Sequence, residues 1–510
     1  MKNILTPFLI YIFEKISCVI NKIQLPAMNP TGFSISEYHD IKPIYEKLNK
    51  LVSLPLSKIA PAQLKKYLNY FETKCVKSKA MMQEAKKYIP GGVQHNLAFN
   101  YPFPIAFTKA EGAYLYDLDG NRYIDFLQAG GPTVLGSNYE MVKQKSIELI
   151  NECGPSTGLF HEYELKLAEI ICRHMPSVEM FRMLGSGTEA VMGALRLARL
   201  VTGKKKIIKM GGAYHGWSDQ MVYSLRIPGT FIFDAKGIPF LSSWHTQSVP
   251  PNNIKALERT MMLNQLRGGT AAVILEPMGP ESGTYPLYKE YCSEARALCD
   301  KYGALLIFDE VVTAFRIGMS GAQGYLNVKP DLTIFGKVVA GGYPAAGGIG
   351  GKAKYMEGLA AGLEGGKKVK VGGTMAANPL SCCAGYHTLA EIERTGACEK
   401  AGRAGDRITK GLNALIDKYG LPFIAFNQGA IVHLETAGKL YVKLNFLKIK
   451  TVLKEIDARK KLMEQMGAAY MAEGVITLAG SRLYMSMADT DEVVDDALNR
   501  FENVFKSIEK

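Results

Sequence analysis

Apolar and polar positions along the 510-residue chain follow three rhythms in succession. From about residue 34 to 88, apolar residues recur at helical spacing among many charges, as in IKPIYEKLNKLV and APAQLKKYLNYFETKCVKSKAMMQEAKKY, until Pro90-Gly91-Gly92 breaks the period. The spacing predicts a helical arm, which with the residues before it makes an N-terminal extension over 1–84. Next, EGAYLYDLDGNRYIDFL alternates apolar residues around Asp119-Gly120-Asn121, the pattern of a β-hairpin, and opens the first part of a small domain over 85–145. Then short, nearly continuous apolar runs (KIIKM, AAVILE at 271–276, ALLIFD at 304–309, LTIF) alternate with helical stretches such as YKEYCSEARALCDKYG. This βαβ alternation predicts an α/β fold with a mostly parallel central sheet, helices on both faces, and a ligand site beyond the carboxyl ends of the strands. Glu276 and Asp309 both stand at such ends. The large domain is expected over 146–385, and the helix-rich remainder, 386–510, is expected to complete the small α/β layer.

Composition narrows the class. An apolar fraction of 47% with 21% charged residues describes a globular chain and excludes a disordered or fibrous one. The net charge of +13 raises the question of nucleic acid, but the basic residues are dispersed, with only small clusters at Lys204 to Lys206, Lys367 to Lys370 and Lys443 to Lys461. No arginine-rich arm or aromatic-interleaved motif accompanies them, so nucleic acid is not expected as a partner, and a basic surface equally suits anionic metabolites. The nine cysteines form no CxxC pair or regular framework, which points to reduced thiols, a cytoplasmic setting and no metal site. The start, MKNILTPFLIYIFEKISCVI, is apolar but interrupted by Glu14-Lys15, and neither half approaches the roughly 20 residues that span a bilayer. It reads as an amphipathic or dispensable extension without stable membrane insertion, with Met28 as an alternative start.

The candidate chemistry begins with Lys337, set between Ile334-Phe335 and Val338-Val339 in the glycine-rich loop DLTIFGKVVAGGYPAAGGIGG. Desolvating an ammonium is costly unless it is paired or gives up its proton. Asp309 ends a strand expected to be buried on both faces, where a charge needs a cationic partner or serves as a helix cap. The segment LGSGTEAVMGALRLARLV runs from a small-residue turn into a helix and places the amides of Ser186, Gly187 and Thr188 at its N-terminus, where phosphate binds readily. After KIIKM, AYHGWSD supplies Tyr214 to lie over a flat ring, with His215 beside it. Each feature has a structural explanation when taken alone. Together they match the needs of pyridoxal 5'-phosphate: a lysine to form a Schiff base with its aldehyde, a carboxylate for its pyridine nitrogen and a helix terminus for its phosphate.

In order and spacing, GSGTEAVMGALRLAR, AYHGWSD, ILEP, IFDEVVTAFR, PDLTIFGKVVAGGYPAAGGIGG and GGTMAANPL resemble the class III aminotransferases, and most of all their glutamate-1-semialdehyde 2,1-aminomutase branch, from about Pro90 to Phe505. The resemblance implies the fold-type I architecture, with a small domain built from both chain ends, and a homodimer with shared active sites. It implies Lys337 as the cofactor-linked proton shuttle, Asp309 at the pyridine nitrogen, and Val311 and Tyr214 on opposite ring faces. It further implies Ser186, Gly187 and Thr188 at the phosphate, joined by Thr374 of a neighbouring subunit. The expected activity is amino-group transfer from a small amino donor to a carbonyl acceptor, in two molecules or, for a mutase, within one. A racemase, a decarboxylase or a non-catalytic scaffold on the same frame are the other readings. One departure bears on the substrate: the loop after Pro-Gly-Gly-Val carries an arginine for the substrate carboxylate in the mutase branch, whereas GGVQHNLAFNYPFPIAF contains none. Arg482, in LAGSRLYMSMADTDE, is the candidate to replace it, with Glu276 and His215 as further substrate candidates.

Overall fold

Three of the apolar runs become strands in which every residue is buried: β7 (Thr270–Leu275), β8 (Leu305–Asp309) and β9 (Leu332–Gly336). Strands sealed on both faces need helices above and below, and a parallel sheet provides that arrangement. The computed structural model describes residues 32–98, 100–224, 236–362, 366–442 and 449–509. The apolar start and Met28 therefore lie outside the described residues.

The central sheet has seven strands in the order β4-β10-β9-β8-β7-β5-β6, with β4 at Met180–Leu184, β5 at Lys206–Met210, β6 at Thr246–Val249 and β10 at Gly347–Gly351. Pairing is parallel from β9 through β6, and β10 alone runs antiparallel to its two neighbours. The glycine-rich run read as loop is thus partly a buried strand. Its glycines are demanded by packing: a Cβ on Gly347 would lie 2.3 Å from the Ser186 carbonyl oxygen, and one on Gly348 2.4 Å from the Phe181 ring.

Two smaller sheets flank it. One has the order β1-β2-β3-β13, from β1 (Phe107–Glu111), β2 (Tyr114–Asp117), β3 (Arg122–Asp125) and β13 (Val475–Ile476). The expected hairpin is β2-β3, closed by Asp117, whose Oδ1 accepts from the amides of Asp119 and Asn121 at 3.0 and 2.8 Å. The other sheet joins β11 (Ile424–Gln428), β12 (Ile431–Glu435) and β14 (Arg482–Tyr484). A single apolar core contains Tyr67, Ile124 and Phe126 together with Ile408, Val432, Phe501 and Phe505, so both chain ends build the small α/β domain.

The described part of the arm is integral to this packing. Helices α1 (Ile41–Ser53), α2 (Pro61–Lys74) and α3 (Val76–Ala85) follow an extended segment at 32–40. Asp40 caps α1 by accepting from the Lys42 amide at 3.0 Å, and Ile44 and Leu48 pack on Ile424 and Phe426 of β11. Upstream, the Ser34 amide donates to the Ile317 carbonyl at 2.7 Å, and Ile35 is buried with Met278, Ile317 and Tyr484. No helix among the described residues is long and apolar enough to cross a membrane.

Candidate active site

Sheet order assembles the site. Lys337 follows β9, Asp309 ends β8, Glu276 follows β7, and Tyr214 and His215 follow β5, so four adjacent parallel strands deliver the sequence candidates to one edge. Strand β4 points the same way and delivers Ser186 and helix α4 (Gly187–Thr202) there too.

Asp309 and His215 form the buried centre. The His215 Nδ1–H donates to Asp309 Oδ2 at 2.7 Å, and the Val311 amide donates to Asp309 Oδ1 at 3.2 Å. Burial pushes the imidazole below its ordinary value against the upward pull of Asp309, which leaves the ring neutral, and among the described residues its Nε2 has no hydrogen-bond partner. The loop bearing Tyr214 and His215 is fastened by Lys209, a fully buried lysine of β5 whose Nζ donates to the carbonyls of Ala213, Met221 and Tyr223 at 2.8, 3.2 and 3.0 Å.

Glu276 organises the turn next to it. It accepts from the amides of Tyr214 (3.1 Å), Glu281 (3.0 Å) and Ser282 (2.7 Å), so its oxygens are engaged by backbone. Burial, with the nearby charges of Asp309 and Glu281, pushes its carboxyl up to about 8. Glu281 and Ser282 lie in the left-handed region, at φ of 55° and 57°, a conformation that these three hydrogen bonds help to hold.

A Cβ on Gly187 or Gly336 would fall 3.0 or 2.8 Å from Val311, and one on Gly216 would fall 2.4 Å from Thr188 Oγ1. Backbone of α4, of the turn before Lys337 and of the loop after His215 therefore converges on Val311 and Thr188. Ser186 caps α4, its Oγ accepting from the Glu189 amide at 3.2 Å, while the Gly187 and Thr188 amides at the helix start have no intrahelical acceptor. Tyr214 is half exposed, its ring free to cover a ligand. Lys337 itself has φ of 49°, rare for a residue with a Cβ, and its Nζ makes no hydrogen bond or ion pair among the described residues. These features fit pyridoxal phosphate: an amine without a partner among the described residues, a carboxyl group held by a neutral imidazole, and open amides at a helix start.

Arg482 reaches the same space from β14. Its Nη2 donates to Glu281 Oε2 at 3.1 Å and Thr284 Oγ1 at 3.0 Å, and its Nη1 to the Tyr484 hydroxyl at 3.4 Å. Thr374 stands apart, exposed in a turn at 374–377 and without a side-chain hydrogen bond among the described residues. Sequence reasoning missed Lys209, Glu281, Arg316 and Tyr484. Lys209 had a signal, since a lysine inside KIIKM is as conspicuous as one after LTIF. The other three are assembled by chain segments far apart in sequence.

The comparisons agree with this geometry. The profile of the family Aminotransferase class-III matches residues 97–505. Glutamate-1-semialdehyde 2,1-aminomutase 2 of Bacillus licheniformis is 36% identical over 450 residues, covering 85% of this chain and 98% of its own. Glutamate-1-semialdehyde 2,1-aminomutase of Bacillus subtilis is 34% identical over 449 residues, covering 85% and 99%. An omega-transaminase from Sphaerobacter thermophilus superposes with a TM-score of 0.76 at 25% identity, covering 86% of this chain and 99% of that one. A glutamate-1-semialdehyde aminomutase from Pseudomonas aeruginosa superposes with a TM-score of 0.75 at 20% identity, covering 91% and 99%, and speaks for the fold alone. With its fold and a profile match over most of its length, the chain belongs to the class III aminotransferases. It is an enzyme of that pyridoxal-phosphate-dependent family.

Proposed function

We propose that this enzyme transfers an amino group from a carboxylate-bearing amino donor to the carbonyl of a second molecule, with Lys337 as its central residue. The observation that carries the reading is Arg482. It lies partly buried beside Tyr484, its side chain 12% exposed, and is paired with Glu281, in a chain whose loop after Pro90-Gly91-Gly92 offers no arginine. Bound pyridoxal phosphate supplies an aldehyde and a ring that takes up negative charge from the amine-bearing carbon.

The chain's residues do the rest. The Gly187 and Thr188 amides and the Ser186 turn bind phosphate at the start of α4. Asp309, oriented by His215, would hold a proton at the ring nitrogen, and Tyr214 and Val311 would pack against the ring faces. Lys337, displaced by the incoming amine, takes the proton from the substrate carbon and returns it on the far side of the transfer. Arg482 binds the donor carboxylate when Glu281 yields its place, and the pair closes again for a partner that brings no carboxylate there. Thr374 and the exposed Leu159, Phe160, Trp217 and Met375 support a second copy of the chain that completes the site. The eight free thiols among the described residues suit a reducing compartment such as the cytoplasm.

Transfer within one molecule is the second reading, and the names of the curated relatives favour it. Donors carrying ¹⁵N distinguish the two. We expect label to pass from an amino acid to an unlabelled 2-oxo acid. Conversion of glutamate 1-semialdehyde without transfer to any added acceptor would replace our reading with the mutase.

A further inference from the structure

Tyr484 stands where the lysine and the arginine meet. It ends β14 two residues after Arg482, and its ring is buried. Two side chains meet beside Gly131, whose φ of 114° favours glycine: a Cβ there would be in ordinary contact with both, 3.5 Å from Tyr484 Cε1 and 3.6 Å from Lys337 Cδ. The guanidinium of Arg316 lies over the phenol ring, 5.2 Å from its centroid. The same fully buried guanidinium donates from Nη1 to the Met485 carbonyl at 2.7 Å and from Nε to the Gly131 carbonyl at 3.2 Å. Arg316 thereby braces both the strand that carries Tyr484 and the glycine over which Lys337 folds.

The hydroxyl has a defined hydrogen-bond balance. Arg482 Nη1, at 3.4 Å, can only donate to it, so the phenol oxygen accepts there and its own proton remains to be given. The charged groups around it are Arg482 on its own strand, Lys337 after β9, Arg316 after β8, and Glu281 behind Arg482; Ile35, Met278, Ile317 and Ile431 close the remaining sides with apolar atoms. Burial pushes the phenol up, but the charges of Arg482 and Lys337 outweigh it and draw the group below its ordinary value, which strengthens it as a donor.

We propose that Tyr484 is a positioning residue of the reaction: in the cofactor-bound enzyme its hydroxyl, oriented by Arg482, donates to the Lys337 nitrogen and favours the unprotonated form that removal of the substrate proton requires. The assignment rests on the reading of Lys337 as the cofactor-bearing lysine. It couples the two ends of the site, because a carboxylate that draws Arg482 away from Tyr484 changes the donor that Lys337 meets.

The test is Tyr484→Phe, which keeps the ring between Arg316 and Lys337 and removes only the hydroxyl. The readout is the pH midpoint of the visible absorbance of the lysine-bound cofactor in the full-length holoenzyme. One hydrogen bond of ordinary strength predicts an upward move of about half to one pH unit, a roughly threefold to tenfold change in the protonation equilibrium. Arg482→Lys, which loses the Nη1 contact, moves the midpoint in the same direction and serves if Tyr484→Phe does not fold. An unchanged midpoint in a folded, coloured variant overturns the proposal and leaves the cofactor reading intact. A wild-type protein without a visible band overturns that reading as well.

Discussion

Lys337 was legible as a residue because its flanks are apolar, and the structure adds what sets the position apart: the backbone there is left-handed and the amine makes no hydrogen bond or ion pair among the described residues. Asp309 was legible as an acid ending a buried strand, whereas its orientation by His215 depends on two strands meeting in space. Glu276 makes a prediction at this scale. Its carboxyl is held near 8, above the ordinary 4.5, so the native state binds that proton more tightly than the unfolded chain does. The associated stability is complete below the unfolded value and is lost as pH rises through about 8. Glu276→Gln removes the charge and keeps one acceptor oxygen, enough for the Tyr214 and Glu281 amides that share Oε1 but not also for the Ser282 amide on Oε2. The difference in Tm between variant and wild type is expected to move in the variant's favour between about pH 6 and pH 9. A constant difference across that range would show that Glu276 does not titrate there.

Among the elements, the strands of the large sheet were readable because continuous apolar runs bounded by turns have few other uses in an α/β chain. Strand β10 was not, since Gly-Gly-Ile-Gly-Gly has turn composition and gains its strand only from close approach to Ser186, Phe181 and Val178. The segment at 32–40 is a second case. It lies outside the residues matched to the family, yet Ser34 sits in a groove made by two glycines: a Cβ on Gly402 would be 2.0 Å from the Ser34 carbonyl oxygen, and one on Gly429 2.3 Å from Ser34 Oγ. This groove fastens Ile35 behind Tyr484. Gly402→Ala is expected to lower the urea midpoint by an amount corresponding to about 1–3 kcal/mol, the usual range for overpacking, and to make the 32–40 segment more sensitive to protease. An unchanged midpoint would mean that the segment is held elsewhere.

At the level of the whole molecule, the proposal is that a second copy of the chain completes the site. Thr374 is exposed, and Leu159, Phe160 and Trp217 present large apolar surfaces to solvent. We expect sedimentation at micromolar concentration to give twice the 56.0 kDa of the chain, and a monomer there would remove Thr374 from the site. The net charge of +13 favours anionic substrates at long range, in keeping with the carboxylate-binding role proposed for Arg482. Nothing in the sequence order announced the partnership of Arg482, Tyr484 and Lys337, because strand β14 joins the site through tertiary packing alone. The central claim is that Lys337 carries the cofactor, and one measurement tests it most directly: the absorbance spectrum of the purified protein with pyridoxal phosphate, before and after borohydride, alongside Lys337→Ala. The account predicts a visible band that borohydride abolishes while fixing the cofactor to the peptide containing Lys337, with no such fixation in the variant. A colourless wild-type protein, or a cofactor fixed equally well to the variant, would contradict it.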